Sequence, residues 1–347
     1  MDVVRFRNLK QLRELVFDTK EIKFAIEAVR EAALLVRRVQ REMVSAALAK
    51  DDRSPVTVAD FVAQAIVCQR LGEYSPGATL IGEERADALR TADGRATLEQ
   101  VTHFVCSAIA ATTPEEICEL IDRGSHPDGT RPPATFWTLD PVDGTKGFLR
   151  REQYAVALAL VRDGSVEVGV LGCPELSDAS RSEPNGPGSL VAAVRGQGAW
   201  TCPLNEHGSW RKLTVSERSD RAAARLLRSV EKAHTNTDEI GQLVSTLGIA
   251  APPVAMDSQA KYAVLAAGEG DVLLRLISPS RPDYREMIWD QAAGSIVVTE
   301  AGGKVTDLDG KPLDFTHGRT LAKNRGILAP NGRLHEALLA GLREIHA

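Results

Sequence analysis

Apolar residues recur at helical spacing through Phe24, Ala25, Ala28, Val29, Ala32, Leu35 and Val36, which predicts a long amphipathic helix over residues 20–49. A polar break at KDDRSP follows. Apolar positions resume from Val58 to Tyr74 as a second helix, for which Thr57 reads as the N-cap. ATLIGEE reads as a short strand ending in two acids. Residues 95–121 are mostly helical in pattern, and the stretch 122–135 is a loop rich in glycine and proline. FWTL, YAVALALV and VEVGVLGC then read as strands, the last two joined by an Asp163-Gly164 hairpin turn. LVAAV and AWTC form a further hairpin around Gly196 and Gly198, and SRSEPNGPGS is a surface loop.

From about residue 200 strands and helices alternate: LLRSVEKAH, a helix near 238–247, the helical QAKYAVLAAG, the strand DVLLRL, the helix QAAGSIVVTEAGG, the strand GILAP and a helix over 332–345. An antiparallel-rich first half and an α/β second half follow, with no internal repeat. A length of 347 residues favours two units over one simple core, drawn here as a sub-domain over 20–200 and another over 201–347.

Charge and cysteine content narrow the function classes. The net charge of -5, with no basic run, argues against binding to a nucleic-acid polymer. Five cysteines without a C-x-x-C pair argue against a disulfide framework or a zinc site. No stretch is long and apolar enough to cross a membrane. Acids near the start of the chain oppose a transit peptide. The expectation is a cytoplasmic protein, with an organellar location left open, acting as a monomer or weak dimer.

The candidate chemistry lies in acids. In DPVDGTKGFL, Asp140 and Asp143 leave a strand end together, followed at once by small residues. Two such carboxylates can hold hard divalent cations, and the backbone behind them can close on an anion. Taken alone, Asp-Pro and Asp-Gly also read as turns. Glu83 and Glu84 end the preceding strand, where a solvated acidic loop is the rival reading. Asp60 sits three residues after Thr57 in a possible capping box. Asp290 follows Trp289 and could simply cap a helix. Their joint presence favours a shared site.

At these residues the chain resembles the magnesium-dependent, lithium-sensitive inositol monophosphatase superfamily, through GEE (Gly82 to Glu84), DPVDGT (Asp140 to Thr145) and WDQAAG (Trp289 to Gly294). SPVTVADFVAQAIV, KGFLR, VEKAH, DSQAKY and GGKVTDLDGKPLDF carry a narrower resemblance to the 3'(2'),5'-bisphosphate nucleotidases of the yeast and plant type. Arg151 departs from an expected glycine and Met287 from an expected lysine.

The resemblance implies an αβαβα sandwich of the α/β class with two sub-domains. It also implies Mg2+ held by Glu83, Asp140, the Val142 carbonyl, Asp143 and Asp290. Catalysis by metal-activated water would use Thr145 hydrogen-bonded to Asp60. Substrate would be bound by Thr145, His234, Ser258, Lys261, Arg275 and Asp290. Among these, Lys261 and Arg275 taken alone read as surface charges, and Ser258 as a helix cap. Lys and Arg nonetheless suit a second, uncleaved phosphate. The implied reaction is hydrolysis of 3'-phosphoadenosine 5'-phosphate, with its 5'-phosphosulfate analogue as a further substrate. Inositol polyphosphate 1-phosphatase activity is the alternative, and an inactive nucleotide sensor is disfavoured because every expected acid is present.

Overall fold

Alternation along the strands sorts the apolar side chains into three separate cores. The structure, a computed structural model, describes residues 18–47, 54–110, 113–208, 210–229, 237–278 and 281–345. Helices α1 (Lys20–Ala47) and α2 (Ser54–Tyr74) lead into strand β1 (Leu80–Gly82), then α3 (Arg95–Cys106) and α4 (Pro114–Asp122). Next come β2 (Thr135–Asp143), the short α5 (Thr145–Arg150), β3 (Ala155–Arg162), β4 (Ser165–Cys173), the small arm β5 (Leu176–Ser177) and β6 (Arg181–Ser182), β7 (Ser189–Val194), β8 (Gly198–Pro203) and β9 (Arg211–Leu213). The remainder runs β10 (Leu226–Arg228), α6 (Thr237–Leu247), β11 (Val254–Ala255), α7 (Ala260–Ala266), β12 (Val272–Arg275), α8 (Ala292–Glu300), β13 (Ile327–Pro330) and α9 (His335–Glu344).

One sheet has the order β1-β2-β3-β4-β7-β8-β9, and a second has the order β11-β10-β12-β13. On β3, Val156, Leu158 and Leu160 face α1 and α2, while Ala155, Ala157, Ala159 and Val161 face α7 and α8. On β12, Leu273 faces that same inner helix pair, and Val272 and Leu274 face α6 and α9. Period-two alternation on both sheets therefore builds five layers, helix–sheet–helix–sheet–helix, the expected αβαβα sandwich. The inner face is dominated by alanine for a packing reason. At Gly169 on β4, a Cβ would collide with the Ile296 side chain and the Ala293 carbonyl, so α8 lies close against the sheet.

Two local expectations change. Helix α2 is already formed at Ser54, so Thr57 lies inside the helix rather than at its cap position. Pro55 explains the early start, because the first turn has no N–H bond for proline to lose. Helix α2 is also buried on most of its circumference, from Val58 through Val67, which hid its start from any amphipathic pattern. Most of the expected polar break at Lys50–Pro55 lies outside the described residues. The division drawn at residue 200 falls inside β8, and the larger sheet continues to Leu213. The Asp163-Gly164 turn has positive φ at both residues (51° and 77°), as a two-residue hairpin of this hand requires.

Candidate active site

Asp140 and Asp143 would point to opposite faces of a regular strand, because side chains alternate and the two are three residues apart. The pairing of β2 with β3 removes that conflict. Asp140 stands opposite Ala157 and Asp143 opposite Ala155, with a register shift between them. One extra residue on β2 forms a bulge that turns both carboxylates to one side. Pro141 sits within it, where a missing N–H costs no ladder bond. Both acids line a cavity of about 340 Å³, together with Glu83, the Val142 backbone, Thr145, Ser258, Lys261, Arg275 and Asp290.

Glu83 arrives by parallel pairing of β1 with β2, in which Gly82 lies opposite Leu139. The turn after β1 is fastened from the side by Gln64 of α2. Its amide donates to the Glu84 carbonyl (2.7 Å) and the Ile121 carbonyl (2.8 Å) and accepts from the Glu84 N–H (3.1 Å). Asp60 of the same helix is buried, and its pKa is driven up by burial and then by Glu84 and Glu83.

The acids crowd one another. Burial, then Glu83, Asp143, Asp290 and Asp60, push the Asp140 carboxyl well above the ordinary carboxylate range. Its Oδ1 is buried with no hydrogen-bond partner. Asp290 is raised by burial and Asp143. Asp143 is raised by burial, opposed by Lys261. Burial, then Glu84 and Asp143, push Glu83 up to about 7. The Glu83 side chain is open to water at the cavity mouth, yet protein surrounds it on most sides, so solvent relieves little of this crowding.

Several acids sharing one pocket repel unless protons or cations intervene. The donors are all hard oxygens, which suits a divalent cation of the Mg2+ type and disfavours zinc. Among the described residues, no group of three or more His, Cys, Asp or Glu side chains stands arranged as a ready metal cage. The fit to a cation rests on the orphaned Asp140 oxygen and on the acids' mutual repulsion.

The same cavity also holds cationic side chains. Lys261 of α7 is buried, and burial lowers its pKa to about 8, with Asp143 opposing. Among the described residues no ion pair engages it. Arg275 lines the cavity and already has a partner. Glu286 takes it bidentately (3.0 and 3.1 Å), and its NH2 donates to the Tyr284 hydroxyl. Ser258, in a left-handed conformation (φ 64°), accepts from the Ala260 N–H (3.1 Å), but the cap position of α7 is Gln259; Ser258 faces the cavity.

Other expectations are corrected or displaced. Thr145 begins α5 and stands exposed at the cavity, but no hydrogen bond joins it to Asp60 in the structure; the two sit on helices α5 and α2, which touch. Asp290 is no N-cap: the boundary residue of α8 is Gln291, and it makes no side-chain cap. His234 lies outside the described residues. The expected glycine position taken by Arg151 is indeed left-handed (φ 57°), and Met287 packs partly buried against the inner core.

Three residues at the site were not singled out from the sequence. Gln64 holds the Glu83–Glu84 turn. Gln259 donates its N–H to Asp143 Oδ2 (2.5 Å), while its side-chain amide donates to the Trp289 carbonyl (2.9 Å) and accepts from the Gly294 N–H (3.0 Å). It thereby ties Asp143 to the start of α8. Arg319 contacts both the Glu83 carbonyl and the Trp289 ring. Only Gln259, inside DSQAKY, lay in a quoted motif that already held two expected site residues.

The family model for the inositol monophosphatase family matches residues 18–347. The chain is 39% identical over 340 residues to a protein of Schizosaccharomyces pombe named 3'(2'),5'-bisphosphate nucleotidase, covering 93% of this chain and 94% of that one. It is 40% identical over 341 residues to a protein of the same name from Oryza sativa, covering 93% and 94%. Among solved structures, inositol monophosphatase from Anabaena superposes with a TM-score of 0.56 at 19% identity, covering 93% of this chain and 95% of that one. Inositol monophosphatase II from Staphylococcus aureus gives 0.60 at 17% identity, covering 91% and 93%. These two show the fold.

Proposed function

The chain belongs to the inositol monophosphatase family, and we propose that within it the protein is a Mg2+-dependent 3'(2'),5'-bisphosphate nucleotidase. The reaction is hydrolysis of 3'-phosphoadenosine 5'-phosphate to AMP and phosphate, with 3'-phosphoadenosine 5'-phosphosulfate as a second substrate. The curated relatives carry the nucleotidase name. The observation that carries the reading is the two-signed cavity, lined both by Asp140 with its unpartnered oxygen and by buried Lys261, which no ion pair engages among the described residues. A substrate with two phosphates matches both signs. The acids would hold a cation for one phosphate, and the ammonium suits the other.

Membership of this family implies a divalent cation. Glu83, Asp140, the Val142 carbonyl, Asp143 and Asp290 would hold it. When bound, it supplies charge neutralisation toward the phosphoryl oxygens and Lewis acidity toward water. The protein's own part is positional. Gln64 and Gln259 fix the acid-bearing turns, and Thr145 orients the attacking water at the start of α5. Asp60, whose pKa is raised by burial and then by Glu84 and Glu83, takes up the water's proton. Water oxygen bonds to phosphorus, the bond from phosphorus to the 3' oxygen breaks, and that oxygen takes a proton from solvent water as it leaves. Phosphoryl transfer asks mainly for such placement and charge balance. Lys261 and Ser258 hold the spectator phosphate; Arg275 and His234 are assigned to substrate on the resemblance. Among the described residues no helix is long and apolar enough to cross a membrane.

The test is phosphate release from purified protein on 3'-phosphoadenosine 5'-phosphate and inositol 1,4-bisphosphate side by side, with Mg2+ and Li+ varied. Faster Mg2+-dependent turnover of the nucleotide is expected. Preference for the inositol phosphate would assign the cavity to the alternative substrate, and release that persists undiminished in chelator would end the cation-dependent reading.

A further inference from the structure

Arg319 lies beyond α8 in sequence, yet its guanidinium reaches the turn that follows β1. It donates to the Glu83 carbonyl (3.1 Å) and the His126 carbonyl (3.4 Å), and pairs with Asp128 (3.5 Å). Its plane stacks on the Trp289 ring, 4.8 Å from the centroid. The main chain is engaged too: the Ile288 N–H donates to the Arg319 carbonyl (3.0 Å), and Met287 bridges Thr320. The side chain is 11% exposed. One buried residue thus grips the turn that carries Glu83 and the turn that carries Trp289 and Asp290, two acid-bearing segments from different layers.

We infer that Arg319 is a positioning residue that holds Glu83 and Asp290 in one arrangement for a divalent cation. This rests on the cation-dependent reading above. A cation placed beside cation ligands is otherwise paradoxical. By charge alone, a guanidinium next to Glu83 and Glu84 competes with Mg2+ and weakens its binding. Its planar fork, however, fits two carbonyls and a carboxylate at once while stacking on an indole, which lysine cannot reproduce. Supporting residues of this kind typically contribute about 10–100-fold to metal affinity.

The two roles predict opposite signs, which makes them separable. Mn2+ binding is titrated calorimetrically at fixed pH into wild type, Arg319→Ala and Arg319→Lys, and the rise in Tm on adding Mn2+ is recorded for each. Positioning predicts about tenfold or more weaker Mn2+ binding and a smaller Tm rise for Arg319→Ala. Unchanged or tighter binding would overturn the inference and leave Arg319 as a mere counter-charge. Should the alanine variant fail to fold, Arg319→Lys decides. It keeps the charge and loses the fork, so weaker binding supports positioning and wild-type binding overturns it. Wild-type protein that takes up no Mn2+ would overturn the cation-dependent reading itself, an outcome distinct from equal binding by all three proteins.

Discussion

Gln64 occupies the space that a side chain on Gly82 would need: a Cβ there would lie 2.5 Å from Gln64 Oε1. The glycine before the two acids is therefore a packing requirement. It lets an amide from α2 approach close enough to hold the Glu84 main chain on both its N–H and its carbonyl. Gln64→Met keeps the volume and removes three hydrogen bonds, leaving buried backbone groups unsatisfied. The expected loss is about 2–4 kcal/mol of stability, with kcat falling more than KM rises as Glu83 loses its placement. Denaturant unfolding and steady-state kinetics check both, and an unchanged kcat would remove Gln64 from the site's support.

Asp140 sets function against stability. Its buried carboxylate is pushed up by burial and four acidic neighbours and has an unpartnered oxygen. Asp140→Asn removes the charge at nearly constant shape. Tm in chelator should rise, corresponding to on the order of 1 kcal/mol. Mg2+-dependent turnover should fall more than about 100-fold, beyond what a supporting residue costs. Near-normal turnover in this variant would defeat the proposed mechanism.

Glu83 gives the cation-free protein a pH signature. Its folded pKa is about 7 against an ordinary 4.5, from burial and then Glu84 and Asp143. The folded state therefore binds this proton more tightly than the unfolded chain does. The resulting stability is fully present below 4.5 and is lost as pH rises through about 7. In chelator, Tm should decline across that window, and Mg2+ should flatten the decline by taking the proton's place. A Tm that climbs over the same interval would mean these acids ionise freely on folding.

Lys261 and Arg275 separate on substrate recognition. Arg275 already has Glu286, so its truncation strands a buried carboxylate and destabilises the fold. Lys261→Met removes a buried ammonium that no ion pair engages among the described residues, so stability should hold or rise. Its KM for 3'-phosphoadenosine 5'-phosphate should increase about tenfold or more, with less effect on a monophosphate. Equal losses on both substrates would place Lys261 outside the second phosphate's site.

Arg151 occupies a left-handed position at the end of α5 (φ 57°, ψ 37°), where an L side chain is strained. Arg151→Gly should raise stability by about 0.5–1 kcal/mol with little change in kcat, measured by thermal unfolding and turnover. A lower Tm would show that the arginine side chain contributes more than its backbone strain costs.

Much of this was legible along the chain. YAVALALV and DVLLRL read as strands from their short apolar runs, and the layered fold follows from the family resemblance. The acids Glu83, Asp140, Asp143 and Asp290 are named by short motifs, because their backbone neighbours must be small or turn-forming. The start of α2 was not legible, since a helix buried all round has no polar face to mark its boundaries.

Only the tertiary structure decided how the motifs cooperate. A bulge between Asp140 and Asp143, visible only in the pairing with β3, turns two acids of opposite parity to one side. The choice of Glu286 as partner for Arg275, with no ion pair to Lys261 among the described residues, depends on which charges meet in space. Arg319 touches the Glu83 carbonyl across 236 positions of chain. Periodicity records which way a side chain points within its own element. It holds no record of what waits there, because that is settled when distant layers pack and each buried polar group must find its partner.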